Sequence, residues 1–240
     1  MGQSWFIWNG MDCRNMGIIL QGPVPIVKPE ERVTHVTIPG RSGELTMLEG
    51  DDVFNSYIQT VSIHVRGAYR INQVANWLHG GGYVTFHGQP EVRQRARVIG
   101  AVTLDRHSRN MDVWSGEVQF YCDPMKELLS DPAVTISTSG GSVRNNGDVP
   151  SRPLITVNAT GAGKLMTITC GGKTLTLDLR GMADTGCVVD CEAETVVNYS
   201  GAANLTALSS GTFPVLARGD NVITYTNVAS LNIVRRERFL

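Results

Sequence analysis

Hydrophobic positions along this chain recur mostly with a period of two. Val61, Ile63 and Val65 alternate with Ser62, His64 and Arg66, the spacing of a strand with one face buried and the other solvated. Trp114, Val118 and Phe120 share one face of a second such strand, with Ser115, Glu117 and Gln119 on the other. Further strands are predicted at Ser4 to Trp8, Met16 to Leu20, Arg32 to Ile38, Tyr83 to His87 and Arg95 to Leu104. One stretch has a different period. Ile71, Val74, Ala75 and Leu78 stand at i, i+3, i+4 and i+7, and Gly80-Gly81-Gly82 follows as a left-handed stop, so a single amphipathic helix is predicted there.

Beyond Pro132 the pattern is β throughout. Leu175, Leu177 and Leu179 alternate with Thr176, Asp178 and Arg180, and Gly171-Gly172 between two such runs signals a two-residue hairpin. Short strands at regular intervals with Gly and Asn turns predict an antiparallel sandwich of about 110 residues. Composition shifts at the same place. All four Trp and all five His precede residue 115, and the later part is rich in Thr, Ser, Gly, Asn and Val. The segment from Cys122-Asp123-Pro124 to Asp131-Pro132 is fenced by two Asp/Pro pairs and reads as a turn and linker, since proline restricts its neighbour and lacks a ladder donor. The predicted organisation is a first domain over residues 1–124, a linker over 125–132 and a second domain over 133–240.

Charge and composition narrow the function. At 42% hydrophobic and 18% charged residues, the chain is neither disordered nor collagen-like. Lys and Arg number 21 against 22 Asp and Glu, which argues against a basic surface gripping nucleic acid but leaves DNA free to pass without specific binding. Apolar runs such as Trp5 to Trp8 and Met16 to Leu20 fall far short of the roughly 20 residues that span a bilayer, so no membrane segment is expected. The amino terminus lacks the pattern of a secretory signal, and folding in a reducing cytoplasm is the expectation. Five scattered cysteines, Cys13, Cys122, Cys170, Cys187 and Cys191, fit buried thiols better than a disulfide framework.

Candidate chemistry is sparse. Gly161-Ala162-Gly163-Lys164 suggests a phosphate loop, but Asn158 and Leu165 break the pattern and a strand rather than a helix follows, so a turn is the reading. Cys187 and Cys191 lie on a β-like segment, which sets them about 13 Å apart, too far to share a zinc ion. His35, His64 and His87 sit on predicted strands, where solvated or satisfied histidines are the commoner outcome than an acid/base or metal site. Asp190, Glu192 and Glu194 alternate, which predicts three carboxylates on one strand face, as a solvated surface or a calcium site. No nucleophile elbow and no paired carboxylates with an acid/base partner stand out. No catalytic, cofactor or metal residues are assigned, and the chain is not expected to be an enzyme.

Several landmarks belong together. Phe6-x-x-Asn9-Gly10-x-Asp12-x-x-x-x-Gly17-Ile18-Ile19, Pro25 and Ile38-Pro39-Gly40-Arg41-Ser42-Gly43-Glu44-Leu45 resemble the start of the distal tail proteins (Dit) of long non-contractile-tailed bacteriophages, the siphoviruses. The helix with its glycines, and Val118-x-Phe120-x-Cys122-x-Pro124, resemble the later part of that family's first domain. Asn146-Gly147-x-x-x-Ser151-x-Pro153-x-Ile155-x-Val157, Val189-Asp190-Cys191-Glu192, Phe213-Pro214-x-Leu216-x-x-Gly219-x-Asn221 and Arg236-x-Arg238-Phe239-Leu240 resemble its second. The resemblance covers nearly the whole chain.

It implies a mainly β protein: a tail-tube-like β barrel or sandwich with one flanking α-helix, six copies of which form a ring, and a galectin-like antiparallel β-sandwich on the outer rim. It further implies a structural baseplate or tail-tip hub without cofactor, placed in the virion and assembled in the host cytoplasm. Its implied partners are further copies of itself, the tail tube protein, a tip hub or lysin protein, and the tape measure and receptor-binding proteins, with a channel through which DNA passes. At about 110 residues the second domain has little room for an extended arm or an inserted carbohydrate-binding module. The competing reading is a carbohydrate-binding, lectin-like module touching the host surface; the second domain has no Trp to serve as a sugar platform.

For a ring, the Gly- and charge-rich segment from Arg41 to Asn55, with Glu44, Glu49, Asp51 and Asp52, is the candidate contact to a neighbouring subunit or ring, against the alternative of a solvated loop. Its acidic residues would also place negative charge near a DNA channel. Heterologous ring contacts require apolar patches on two faces, and Trp5, Trp8 and Trp77 are candidates, against the alternative of core packing.

Overall fold

A computed structural model describes residues 4–67, 70–108, 111–182 and 185–240. Contacts divide the chain into two compact units, residues 1–129 with Leu240, and residues 130–239.

In the first unit the strands are β1 (Phe6–Trp8), β2 (Met11–Asp12), β3 (Ile18–Leu20), β4 (Val33–Thr37), β5 (Glu44–Leu48), β6 (Tyr57–Arg66), β7 (Gly81–Phe86), β8 (Val92–Ile99), β9 (Leu104–Ser108) and β10 (Met111–Leu128), with α1 (Ile71–Trp77) between β6 and β7. The main sheet is antiparallel in the order β2-β1-β7-β8-β10-β6-β3, and β9 also pairs with β10. It curls on itself. Phe6 and Trp8 of β1 meet Phe120 of β10 at ring separations of 5.5 and 5.3 Å, although β7 and β8 lie between those strands in the sheet. The inward-facing residues are those the alternation selects, Val61, Ile63, Val65, Val118, Phe120 and Cys122, and α1 adds Val74 and the adjoining Leu78.

The structure corrects several local readings. Residues 13–16 form a 3-10 turn that Asp12 caps by accepting from the Arg14 N–H, so only Ile18–Leu20 of the predicted strand is extended. The predicted strand from Arg95 to Leu104 is broken, because the chain turns at Gly100 (φ +71°) between β8 and β9. In the helix Ala75 is exposed, and Trp77 joins the buried stripe by stacking on Phe6 at 5.8 Å. The segment read as a turn and linker is strand as far as Leu128. The β8 register shifts between Cys122 and Lys126, and a bulge of this kind is where a strand accommodates a proline such as Pro124.

The second unit is a sandwich of two antiparallel sheets. Its strands are β11 (Val134–Ile136), β12 (Gly141–Asn145), β13 (Leu154–Ala159), β14 (Leu165–Cys170), β15 (Lys173–Asp178), β16 (Gly186–Asp190), β17 (Thr195–Asn198), β18 (Ser209–Gly211), β19 (Gly219–Thr226) and β20 (Val228–Val234). One sheet runs β11-β20-β13-β16-β17 and the other β12-β19-β14-β15-β18. Between them lies a core that includes Ile155, Val157, Ile168, Leu175, Leu177, Val189 and Leu231. Gly171 and Gly172 form the predicted hairpin turn, with φ of +57° and +75° at its two centres and Cys170 opposite Lys173.

Candidate interaction surface

The segment from Arg41 to Asn55 is not an irregular loop. Glu44–Leu48 pairs residue by residue with Val33–Thr37, Val33 opposite Leu48 and Thr37 opposite Glu44, as a two-stranded ribbon separate from the main sheet. Gly40 and Gly43, both at φ +83°, turn its tip, where Arg41 sits. Below Leu48 the chain makes a second turn over Glu49 to Asp52 and then rejoins the ladder: Arg32 donates its N–H to Val53 at 2.9 Å, Glu31 bridges Phe54, and Asn55 donates to Glu30 at 2.8 Å. Side chains reinforce the base, with Thr34 donating to Glu49 at 2.7 Å and Arg32 to the Asn55 side-chain oxygen at 3.1 Å. Glu44 lies 3.7 Å from His35, and Asp51 and Asp52 are exposed on the second turn.

Directly opposed residues of a ribbon share a face. One face carries Val33 with Leu48, His35 with Thr46 and Thr37 with Glu44; the other carries Thr34 with Met47 and Val36 with Leu45, followed by Ile38. That second face is apolar yet solvent-exposed, with Met47 at 53% and Leu45 at 40%. A lone two-stranded ribbon is marginal in water, and this one leaves its apolar face uncovered in its own chain, which makes it the candidate contact surface. The sequence held the signal: two alternating segments flank Pro39-Gly40-Arg41-Ser42-Gly43, a hairpin connection that the charged and glycine residues obscure.

The tryptophans lie elsewhere. Trp8 is 0% exposed and belongs to the core, so it is not available as a surface anchor. Trp77 is half-buried against Phe6. Trp5 is half-buried between the Arg14 guanidinium, 5.3 Å from its ring, and the edge-on His87 ring at 5.7 Å.

The predicted chemical constellations come apart. His35 sits on the ribbon against Thr46, His64 meets Ser115 at 2.9 Å, and His87 flanks Trp5, so the three do not converge. All five thiols are buried and unbridged; burial pushes Cys122 and Cys191 up to about 12, far from the reactive thiolate range. Asp190, Glu192 and Glu194 do not share a strand face, because β16 ends at Asp190 and residues 191–194 turn, with Glu194 at φ +53°. Asp190 accepts the N–H groups of Glu192 and Ala193 at 3.0 Å each and a bidentate pair from Arg236 at 2.7 and 2.9 Å. Glu192 takes Arg238, and Glu194 takes Arg152 at 2.9 Å. Each carboxylate already has an arginine. Among the described residues no three His, Cys, Asp or Glu side chains are placed to hold a metal ion, and no helix is long and apolar enough to cross a membrane.

With that architecture in view, the chain superposes along its entire length on the Dit protein of phage SPP1, a paradigm of the hub adsorption apparatus in phages infecting Gram-positive bacteria. The TM-score is 0.80 at 19% identity, covering 100% of both chains. This chain has the Dit fold. The family resemblance read from the sequence is thereby borne out for the fold, both units included. A chain of the phage p2 baseplate, in its activated conformation with Sr, aligns at a TM-score of 0.49 and 7% identity over 96% of each chain. No protein-family model and no curated protein matches the sequence.

Proposed function

We propose that this protein is a structural hub of a bacteriophage tail, acting by assembly and not by catalysis. Copies of the first unit form a closed ring, six in number on the family resemblance, that joins the tail tube to the baseplate or tail tip and leaves an opening for DNA. The observation that carries this reading is the full-length Dit fold. The projecting β4–β5 ribbon supports it, since a ring of identical chains needs each copy to reach its neighbour through a heterologous surface. Glu49, Asp51 and Asp52, repeated around such a ring, add negative charge that discourages DNA from sticking. The second unit is a galectin-like sandwich serving the same assembly, and the protein resides at the tail tip of the virion after assembly in the host cytoplasm. Its partners are the tail tube protein and a tip hub or lysin protein, with the tape measure and receptor-binding proteins as further neighbours.

Negative-stain electron microscopy of the purified protein tests this directly. Closed rings with a central opening are expected; particles of single-chain size at every concentration, together with no binding to tail tubes, would overturn it. Glycan binding gains no support from the second unit. Its Tyr199 is exposed, but the hydroxyl is already bonded to the Val157 carbonyl at 2.5 Å and to Asn158 at 2.7 Å.

A further inference from the structure

The first unit exposes a second apolar patch, on the outward face of its main sheet. Arg97 of β8 stands opposite Tyr121 of β10, and Tyr121 opposite Ile58 of β6, so the three form one row across three strands. Tyr121 is 46% exposed and Ile58 53%, and Arg95, two residues from Arg97, points from the same face. Neither Arg95 nor Arg97 has an ion-pair partner among the described residues, whereas Arg93 on that strand is bound to Glu127. The ribbon is the complement of this patch. Its apolar face, Met47, Leu45 and Val36, is about two strands wide, and the turn that follows Leu48 carries the carboxylates Glu49, Asp51 and Asp52. Within one chain both patches stay open to solvent.

We infer that the apolar face of the ribbon in one copy docks on Tyr121 and Ile58 of a second copy, with the ribbon carboxylates beside Arg95 and Arg97. The inference rests on the self-assembly reading above and adds to it the receiving surface. The occupant is a second copy because one chain carries both patches, opposite in charge and alike in exposed apolar residues. The contact is heterologous, so repetition closes a ring or extends a filament.

Disulfide trapping tests it. Every native cysteine is buried, so a double variant Met47→Cys/Tyr121→Cys crosslinks only through its introduced thiols. Mild oxidation is expected to give a reducible ladder of dimers and larger species, with each single variant remaining one chain. A ladder from Met47→Cys alone would replace the contact by arm-to-arm pairing, and a bridge inside one chain would place the ribbon on its own sheet; either overturns the inference. Light scattering on the same samples separates the two levels. Oligomers without a ladder sink the receiving surface and leave assembly standing, and a strict monomer that also stays monomeric when tail tubes are added sinks both. Independently, Arg95→Glu/Arg97→Glu is expected to weaken self-association about tenfold or more at low salt, and unchanged association would count against the pairing.

Discussion

Trp8, Asp190 and Gly186 show how single residues carry this fold. Trp8 fills the core against Phe120, so Trp8→Ala is expected to cost about 3–5 kcal/mol in urea unfolding. Half-exposed Trp5 should lose much less on the same change, and equal losses would refute the burial argument. Arg236 beside Asp190 holds its carboxyl down to about 2, against about 3.9 in an unfolded chain. A depressed carboxyl contributes stability that is complete above the unfolded value and is lost as pH falls through the folded one. Asp190→Asn is therefore expected to cost about 2 kcal/mol at pH 7, a difference that shrinks between pH 5 and pH 2; a difference constant over that window would show that the pair acts by shape alone. At Gly186 a Cβ would run into the Val157 carbonyl and the Tyr199 hydroxyl. Gly186→Ala should destabilise the sandwich by about 1–3 kcal/mol, read as a lowered urea midpoint with the first unit unaffected.

At the scale of elements, the sequence was legible wherever one face of a strand is buried. Val61, Ile63 and Val65, and likewise Leu175, Leu177 and Leu179, are buried as their alternation predicts. Elements that bury nothing in their own chain were harder to see. Strand β5 exposes all of its residues, so Glu44 to Leu48 lacks the contrast that burial gives a strand and reads as loop. Carboxylates mislead in the same way: Asp190, Glu192 and Glu194 alternate in sequence, but the Asp190 side chain caps the turn that ends β16. Proline misleads when a bulge absorbs it, as at Pro124. The ribbon makes its own prediction. Replacing Thr34–Met47 by Asn-Gly closes the Val33–Leu48 pair with a favoured turn. Because the removed residues are exposed, thermal stability of the first unit should change little while self-association is lost. A collapse in stability would show that the ribbon holds up its own chain.

On the scale of the whole molecule, the two units each have a sufficient core of their own, while the exposed ribbon face and the Tyr121–Ile58 patch remain uncovered. The proposed function lies in assembly, and mass in solution tests it most directly. Light scattering across a concentration series is expected to show a discrete species near six times the 26.1 kDa chain, or twice that if rings stack. A single chain mass at every concentration, unchanged when tail tubes are added as a template, would contradict the account.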